Sequence, residues 1–242
     1  MLIAALYDIH ANLPALETVL AEVGRLGVEK LVIGGDALPG PMPRQTLVRL
    51  RELEIPCQFI RGNGEVAVLE ELAGRQAAVP DSYRTAIQCN ASQLDEDLRI
   101  WLAKWPLCVQ VDDVLFCHAT PRNENEIFTR LTPAEALLPV FSNLDAPLVV
   151  CGHTHMQFDR TIANVRVLNA GSVGMPFGRT GADWLLLGET MEFRHTQYDL
   201  DEAAKLIRAT AYPMAEDFAA NNVLSAPSEE KMLELFGRAG IR

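Results

Sequence analysis

The stretch "LIAALYDIHAN", residues 2–12, is a short unbroken apolar run that stops at an aspartate and a histidine two residues apart. A continuous run of this length is the signature of a strand buried on both faces, as in a parallel sheet. Asn12 is placed to cap a helix, Pro14 is tolerated in its first turn, and Leu13, Leu16, Leu20 and Val23 recur at helical spacing. The alternation then repeats. "KLVIGGD" (30–36) reads as a strand and "RQTLVRLREL" (44–53) as a helix with Leu47, Leu50 and Leu53 inward. "CQFIRGN" (57–63) reads as a third strand and Glu65 to Leu72 as a short helix. This β-α-β-α-β order implies right-handed crossovers and a mainly parallel sheet.

Residues 75–105 break the rhythm. Ser92 and Asp95 resemble a capping box, and Leu94, Leu98, Trp101, Leu102 and Trp105 form an apolar stripe, which predicts a helix packed on the domain. From residue 107 the pattern turns to hairpins. "LCVQVDDVLFCH" (107–118), "FDRTIANVRVLN" (158–169) and "WLLLGETMEFRH" (184–195) each place turn residues between apolar segments. An α/β half followed by a hairpin-rich half predicts two facing sheets with helices outside. The tail from Asp199 reads as two or three helices, broken near Pro213 and Pro227.

Each apolar run delivers a nitrogen or oxygen donor at its carboxyl end: Asp8 and His10, Asp36, Asn63, His118, then His153 and His155 of "CGHTH". In an open α/β sheet that edge is where ligands bind. Residues two apart in extended chain point to one side, which pairs Asp8 with His10 and His153 with His155. Four of the five histidines, all but His195, fall at these ends. Seven donors are too many for one tetrahedral ion and suit two five- or six-coordinate divalent ions sharing a carboxylate. Oxygen and imidazole donors favour manganese, iron, zinc or similar metals.

Composition narrows the function classes. Hydrophobic residues make up 49% and charged residues 22% of 242, which excludes extensive disorder. A net charge of −11 argues against non-specific binding to nucleic acid or an anionic membrane. A phosphate-bearing small molecule needs a local reversal of that field, which bound dications supply. The cysteines Cys57, Cys89, Cys108, Cys117 and Cys151 are odd in number and irregularly spaced, so reduced thiols in a cytoplasmic protein are expected. The start lacks a basic leader, and no stretch approaches the ~18 apolar residues of a membrane span.

In order, the motifs D-x-H, G-D, G-N, a lone histidine and G-H-x-H over residues 8–155 resemble those of the calcineurin-like metallophosphoesterases. The likeness is closest to small bacterial phosphodiesterase and diadenosine-tetraphosphatase-like members, with "GDALPGP" (35–41) and "NAGSVGMPFGR" (169–179) also similar. The resemblance implies an α/β class four-layer α/β/β/α sandwich of two mixed sheets. It implies a domain over residues 1–198 with a helical insertion at 75–105. The helices of 199–242 lie outside it and are expected to pack on the same domain as an extension, with a homo-oligomer left open.

The resemblance also implies roles. Asp8, His10 and His155 would hold one ion, Asn63, His118 and His153 the other, and Asp36 would bridge, with Asp36, Asn63 and His118 the catalytic residues. The implied reaction is hydrolysis of a phosphodiester, phosphomonoester or phosphoanhydride by in-line attack of a hydroxide between the ions. Arg61, Arg122 and Arg179 flank the motifs as candidate phosphate ligands.

Three residues depart from the pattern. Gly64 stands where many members carry a histidine that stabilises charge or protonates the leaving oxygen, so substrates with good leaving groups, such as nucleotides, are expected. Ala11 replaces a usual glycine and Tyr7 a usual serine. The rival reading is a binding or scaffold protein on the same fold that has lost its chemistry. A serine hydrolase is improbable, because "AGSVG" around Ser172 leads into Pro176 and further glycines where a nucleophile elbow needs a helix.

Overall fold

The computed structural model describes residues 1–239. Two five-stranded sheets face each other, in the orders β10-β9-β1-β2-β3 and β4-β5-β6-β8-β7. In the first, β1 (Ile3–Leu6), β2 (Lys30–Ile33) and β3 (Cys57–Phe59) run parallel, and β9 (Ala182–Leu187) and β10 (Met191–Thr196) add antiparallel strands. In the second, β5 (Val114–Cys117), β6 (Leu148–Cys151) and β8 (Val165–Asn169) are parallel. There β4 (Cys108–Val111) and β7 (Phe158–Ile162) are antiparallel to their neighbours.

The opening strand shows why its sequence is apolar throughout. Ala4 and Leu6 point outward, into a core shared with α1 (Leu13–Leu26) and α2 (Pro43–Arg51). Ile3, Ala5 and Tyr7 point inward, against Phe116, Val150 and Leu168 of the other sheet. Behind that second sheet, α6 (Ala134–Phe141) covers Val149, Cys151 and Val167. The result is the expected α/β/β/α sandwich. Cys117 lies in the outer layer, facing away from His118.

Local signals explain most element ends. The Asn12 side chain accepts from Ala15 N at 3.3 Å, capping α1, and α1 ends at Gly27 in the left-handed region (φ 68°). The third helix, α3, starts at Asn63 and runs to Leu72, two residues earlier than the sequence pattern predicts. Ser92 does not open a helix. It ends α4 (Asp81–Ser92), and Asp95 alone caps α5 (Glu96–Leu102). The inward face of α4 is built from Ala86, Ile87, Asn90 and Ala91, too small and polar to register as a stripe. Trp101 and Trp105 pack with Phe59 at ring separations of 4.9–5.1 Å.

The tail forms α7 (Leu200–Arg208), α8 (Ala215–Phe218), a π-helical turn (Ala219–Val223) and α9 (Glu229–Ala239). The first three share a buried cluster with Ala86 of α4 and with Met42 and Met175. The last, α9, is tied down by Gly178 N donating to Pro227 O at 2.8 Å, by an Arg130–Glu229 ion pair and by Phe236 against Phe177. Residues 240–242 of the expected extension lie outside the described residues. Among the described residues no helix is long and apolar enough to cross a membrane.

The replacement of serine by Tyr7 has a structural role. The ring is fully buried between the sheets, and its hydroxyl donates to Val150 O of β6 at 2.9 Å. Room for it exists because residue 34 is glycine: a Cβ there would fall 2.1 Å from the ring. Tyr7→Phe is expected to cost about 1 kcal/mol in urea denaturation. Tyr7→Ser, which empties the site, is expected to cost about 3–5 kcal/mol; a loss below that of Tyr7→Phe would refute the packing role.

Candidate metal centre

The seven predicted donors come together at the carboxyl ends of β1, β2, β5 and β6 and at the first turn of α3. Asp8, His10 and His155 offer ligand atoms all within 4.8 Å of one another, and so do Asp36, His118 and His153. Asn63 Oδ1 lies 3.2 Å from His118 Nε2. Asp36 joins the two groups, with Oδ1 3.6 Å from His118 Nε2 and Oδ2 3.9 Å from His10 Nε2. Asp8 Oδ1 also faces both, at 3.3 Å from His155 Nε2 and 3.8 Å from His118 Nε2.

The backbone is bent to deliver these side chains. Asp8, His10, Asp36, His153 and His155 all have φ between 47° and 67°, in the left-handed region that residues with a Cβ avoid. Each such residue costs on the order of 1–3 kcal/mol and persists only where its surroundings over-determine it. They do so here. Asp8 N, His10 N and Ala11 N donate to Gly35 O, Asp36 O and Ala37 O at 2.8–3.0 Å, lacing the first two loops together. Ala11 itself has φ 47°, which explains why glycine is usual there. The Glu65 carboxylate accepts from Asp36 N, Leu38 N and Gly62 N at 2.7–3.0 Å, holding the second and third loops in register. Burial, helped by the Asp36 charge, pushes Glu65 up to about 7. In sequence Glu65 reads only as the start of a helix; its place two residues after Asn63, in the first turn, is the one signal of this bracing role.

Ring protons are committed away from the centre. His10 Nδ1 faces Pro39 O (3.2 Å), His118 Nδ1 faces Gly34 O (2.9 Å) and His155 Nδ1 faces Met175 O (2.8 Å). Each carbonyl can only accept, so each Nδ1 carries the proton and each Nε2 presents a lone pair. His10 Nε2 and His155 Nε2 thus face each other at 3.1 Å. Asp8 Oδ1 and His153 Nε2 are buried with no hydrogen-bond partner. Burial above all holds His10 and His153 down to about 3, which keeps both rings neutral. Burial and the Asp8 charge push Asp36 well above the usual carboxylate range. Facing lone pairs and crowded carboxylates are satisfied by cations, and the donor set fits two divalent ions.

The other motif residues are placed as follows. Ser172 is buried, its hydroxyl donating to Asp8 O at 2.7 Å and accepting from Met175 N, so it is a strut. Arg122 is bidentate on Glu126, and Arg179 donates to Asp183 and Gln157. Arg179 lines a separate recess beside Phe177. Arg61 Nε is buried with no hydrogen-bond partner. None of the three arginines lines the cavity of about 400 Å³ that opens onto the donors. Phe177, which the sequence reading did not single out, stacks on His155 with centroids 4.8 Å apart.

Gly64 lines that cavity, and a histidine there would force the Leu38 backbone to shift. A Cβ there would lie 2.0 Å from Leu38 O and 2.9 Å from Asp36 Oδ1.

A four-layer sandwich presenting two clusters of imidazole and carboxylate at its strand ends defines the class of metal-dependent phosphoesterases. The chain belongs to the calcineurin-like phosphoesterase superfamily, whose domain profile matches residues 1–190. It is 27% identical over 240 residues to the uncharacterized protein MJ0912 of Methanocaldococcus jannaschii, covering 88% of this chain and 94% of that one. Its fold is similar to that of a metallophosphoesterase from Sphaerobacter thermophilus (24% identity, TM-score 0.75, 93% of this chain and 98% of the other). It is also similar to that of the hypothetical protein PH1004 of Pyrococcus horikoshii (18% identity, TM-score 0.78, 90% and 97%). These shares exceed what residues 1–198 alone make up, so the likeness extends into the helical tail.

Two outcomes follow for direct measurement. Metal analysis by mass spectrometry is expected to show His10→Ala lowering occupancy of one ion and Asp36→Asn lowering both. Gly64→His is expected to destabilise the fold by about 1–3 kcal/mol through overpacking. An unchanged melting temperature in that variant would contradict the steric account.

Proposed function

We propose that the chain is a dinuclear metal-dependent phosphoesterase, acting on a phosphate ester or anhydride with a good leaving group, of which nucleotides are one class. The observation that supports this most is the convergence of bare Nε2 atoms and carboxylate oxygens at 3.1–3.9 Å. Asp8, His10 and His155 would hold one ion and Asn63, His118 and His153 the other, with Asp36 shared. Such ions, manganese, iron, zinc or similar, lower the pKa of water toward ~7 and neutralise charge on a phosphoryl group.

The chain's own groups do the rest. Pro39, Gly34 and Met175 carbonyls fix the ring tautomers of His10, His118 and His155, so those three Nε2 atoms are ready to coordinate, while His153 turns its Nδ1 toward His118. Gly64 offers no proton to the departing oxygen, and the alcohol or phosphate must leave as an anion of low basicity. Arg122 and Arg179 already face carboxylates, and neither they nor Arg61 lines the cavity, so the ions, once held, would supply the positive charge that a phosphoryl group needs. Residues Asp36, Asn63 and His118 are accordingly the catalytic ones.

With manganese supplied, hydrolysis of bis(p-nitrophenyl) phosphate is expected. Asp36→Asn is expected to lower it by more than about 100-fold, beyond what loss of a supporting contact costs. Across esters of graded leaving-group pKa the rate is expected to fall as the pKa rises. A flat series with chemistry rate-limiting would refute the Gly64 reading. Full metal occupancy without turnover of any ester would make the chain a binding protein on this fold.

A further inference from the structure

The cavity over the centre has two unlike sides. Its floor is the donor cluster, with His10, Asp36, Asn63, His153 and His155. Its far wall comes from α4 and the tail: Tyr83, Tyr212, Phe218, Met232 and Phe236 among others. Among the described residues no lysine or arginine lines it, and Asp217 is the one charged side chain on the wall apart from the donors.

We propose that this tail-built wall receives the leaving group, and that it selects a phosphate ester whose alcohol portion is aromatic and carries no further phosphate. The inference rests on the phosphoesterase reading and narrows it, from good leaving groups in general to aryl-type esters over nucleoside polyphosphates and other anhydrides.

Three observations converge. The first is charge. Each extra phosphate brings negative charge that proteins meet with Arg or Lys. This wall meets it with Asp217, in a chain of net charge −11. The second is shape. Phe177 stacks on His155 at 4.8 Å and 28°, and Phe236 lies 6.2 Å from Phe177 at 36°. Phe177 and Phe236 both line the cavity, where an aromatic face can pair with a ligand ring at centroid separations of about 4.5–7 Å, and Met175 and Met232 give adaptable apolar filling beside them. About 400 Å³ is a small-molecule volume, within the usual range of ligand pockets. The third is the absent acid. Gly64 lines the same cavity, and an aryl oxide departs there without needing a proton.

The test uses the metal-loaded full chain and reads binding apart from turnover. By calorimetry, phenylphosphonate is expected to bind on the order of tenfold tighter than methylphosphonate. Phe236→Ala and Met232→Ala are each expected to erode that preference with metal content unchanged. Equal binding of the two phosphonates, or a preference that survives both substitutions, overturns the proposal. In turnover, kcat/KM for bis(p-nitrophenyl) phosphate is expected to exceed that for diadenosine tetraphosphate on the order of tenfold. Equal or better use of the dinucleotide also overturns it. A phenyl preference without hydrolysis of any ester would keep the aromatic site and remove the phosphoesterase reading instead.

Discussion

Lone pairs aimed at one another are the constraint around which this molecule is organised. Three imidazoles turn their protons outward to backbone carbonyls and their bare nitrogens inward, toward two carboxylates that burial already penalises. Left to itself the arrangement is repulsive. It holds because the loops that carry it are bonded to each other through backbone amides, with Glu65 accepting three of them. The scaffold therefore stores unfavourable electrostatics and left-handed backbone together, at the place where cations relieve them.

The sandwich makes that storage possible. Tyr7 follows β1 directly, lies inside the interface and bonds to β6 of the opposite sheet, and the next residue is Asp8. A residue later in the same loop, and one in the loop after β6, face each other as His10 and His155. Packing between the sheets thus sets the separation of the donors, and no single loop could do so. The segment after β8 completes the frame: Val173 and Gly174 amides donate to Tyr7 and Asp8 carbonyls, Met175 orients His155 and Phe177 covers it.

Much of this was legible beforehand, for a physical reason. Metal chemistry needs His, Asp and Asn, and a buried strand tolerates them only where it ends, so punctuated apolar runs announce both the sheet and the donors. Other features look the same in sequence whether or not they matter. Glu65 reads as an ordinary first-turn glutamate. The α4 face is small and partly polar, and α6 carries Pro139, so periodicity reveals neither helix. Arg122 and Arg179 sit by the motifs, yet Glu126 and Asp183, four residues on, claim them. Amphipathic helices in the tail show that something is covered without showing that part of it is a cavity.

The span in sequence between facing donors has a consequence for biogenesis. Asp8 and His10 leave the ribosome early, while His155, 145 residues after His10, and its carbonyl partner at Met175 come much later. Neither cluster is complete until both sheets exist, so a nascent chain has nothing to load before the second half is made. A metal held by either cluster would therefore have to enter after the two sheets have come together.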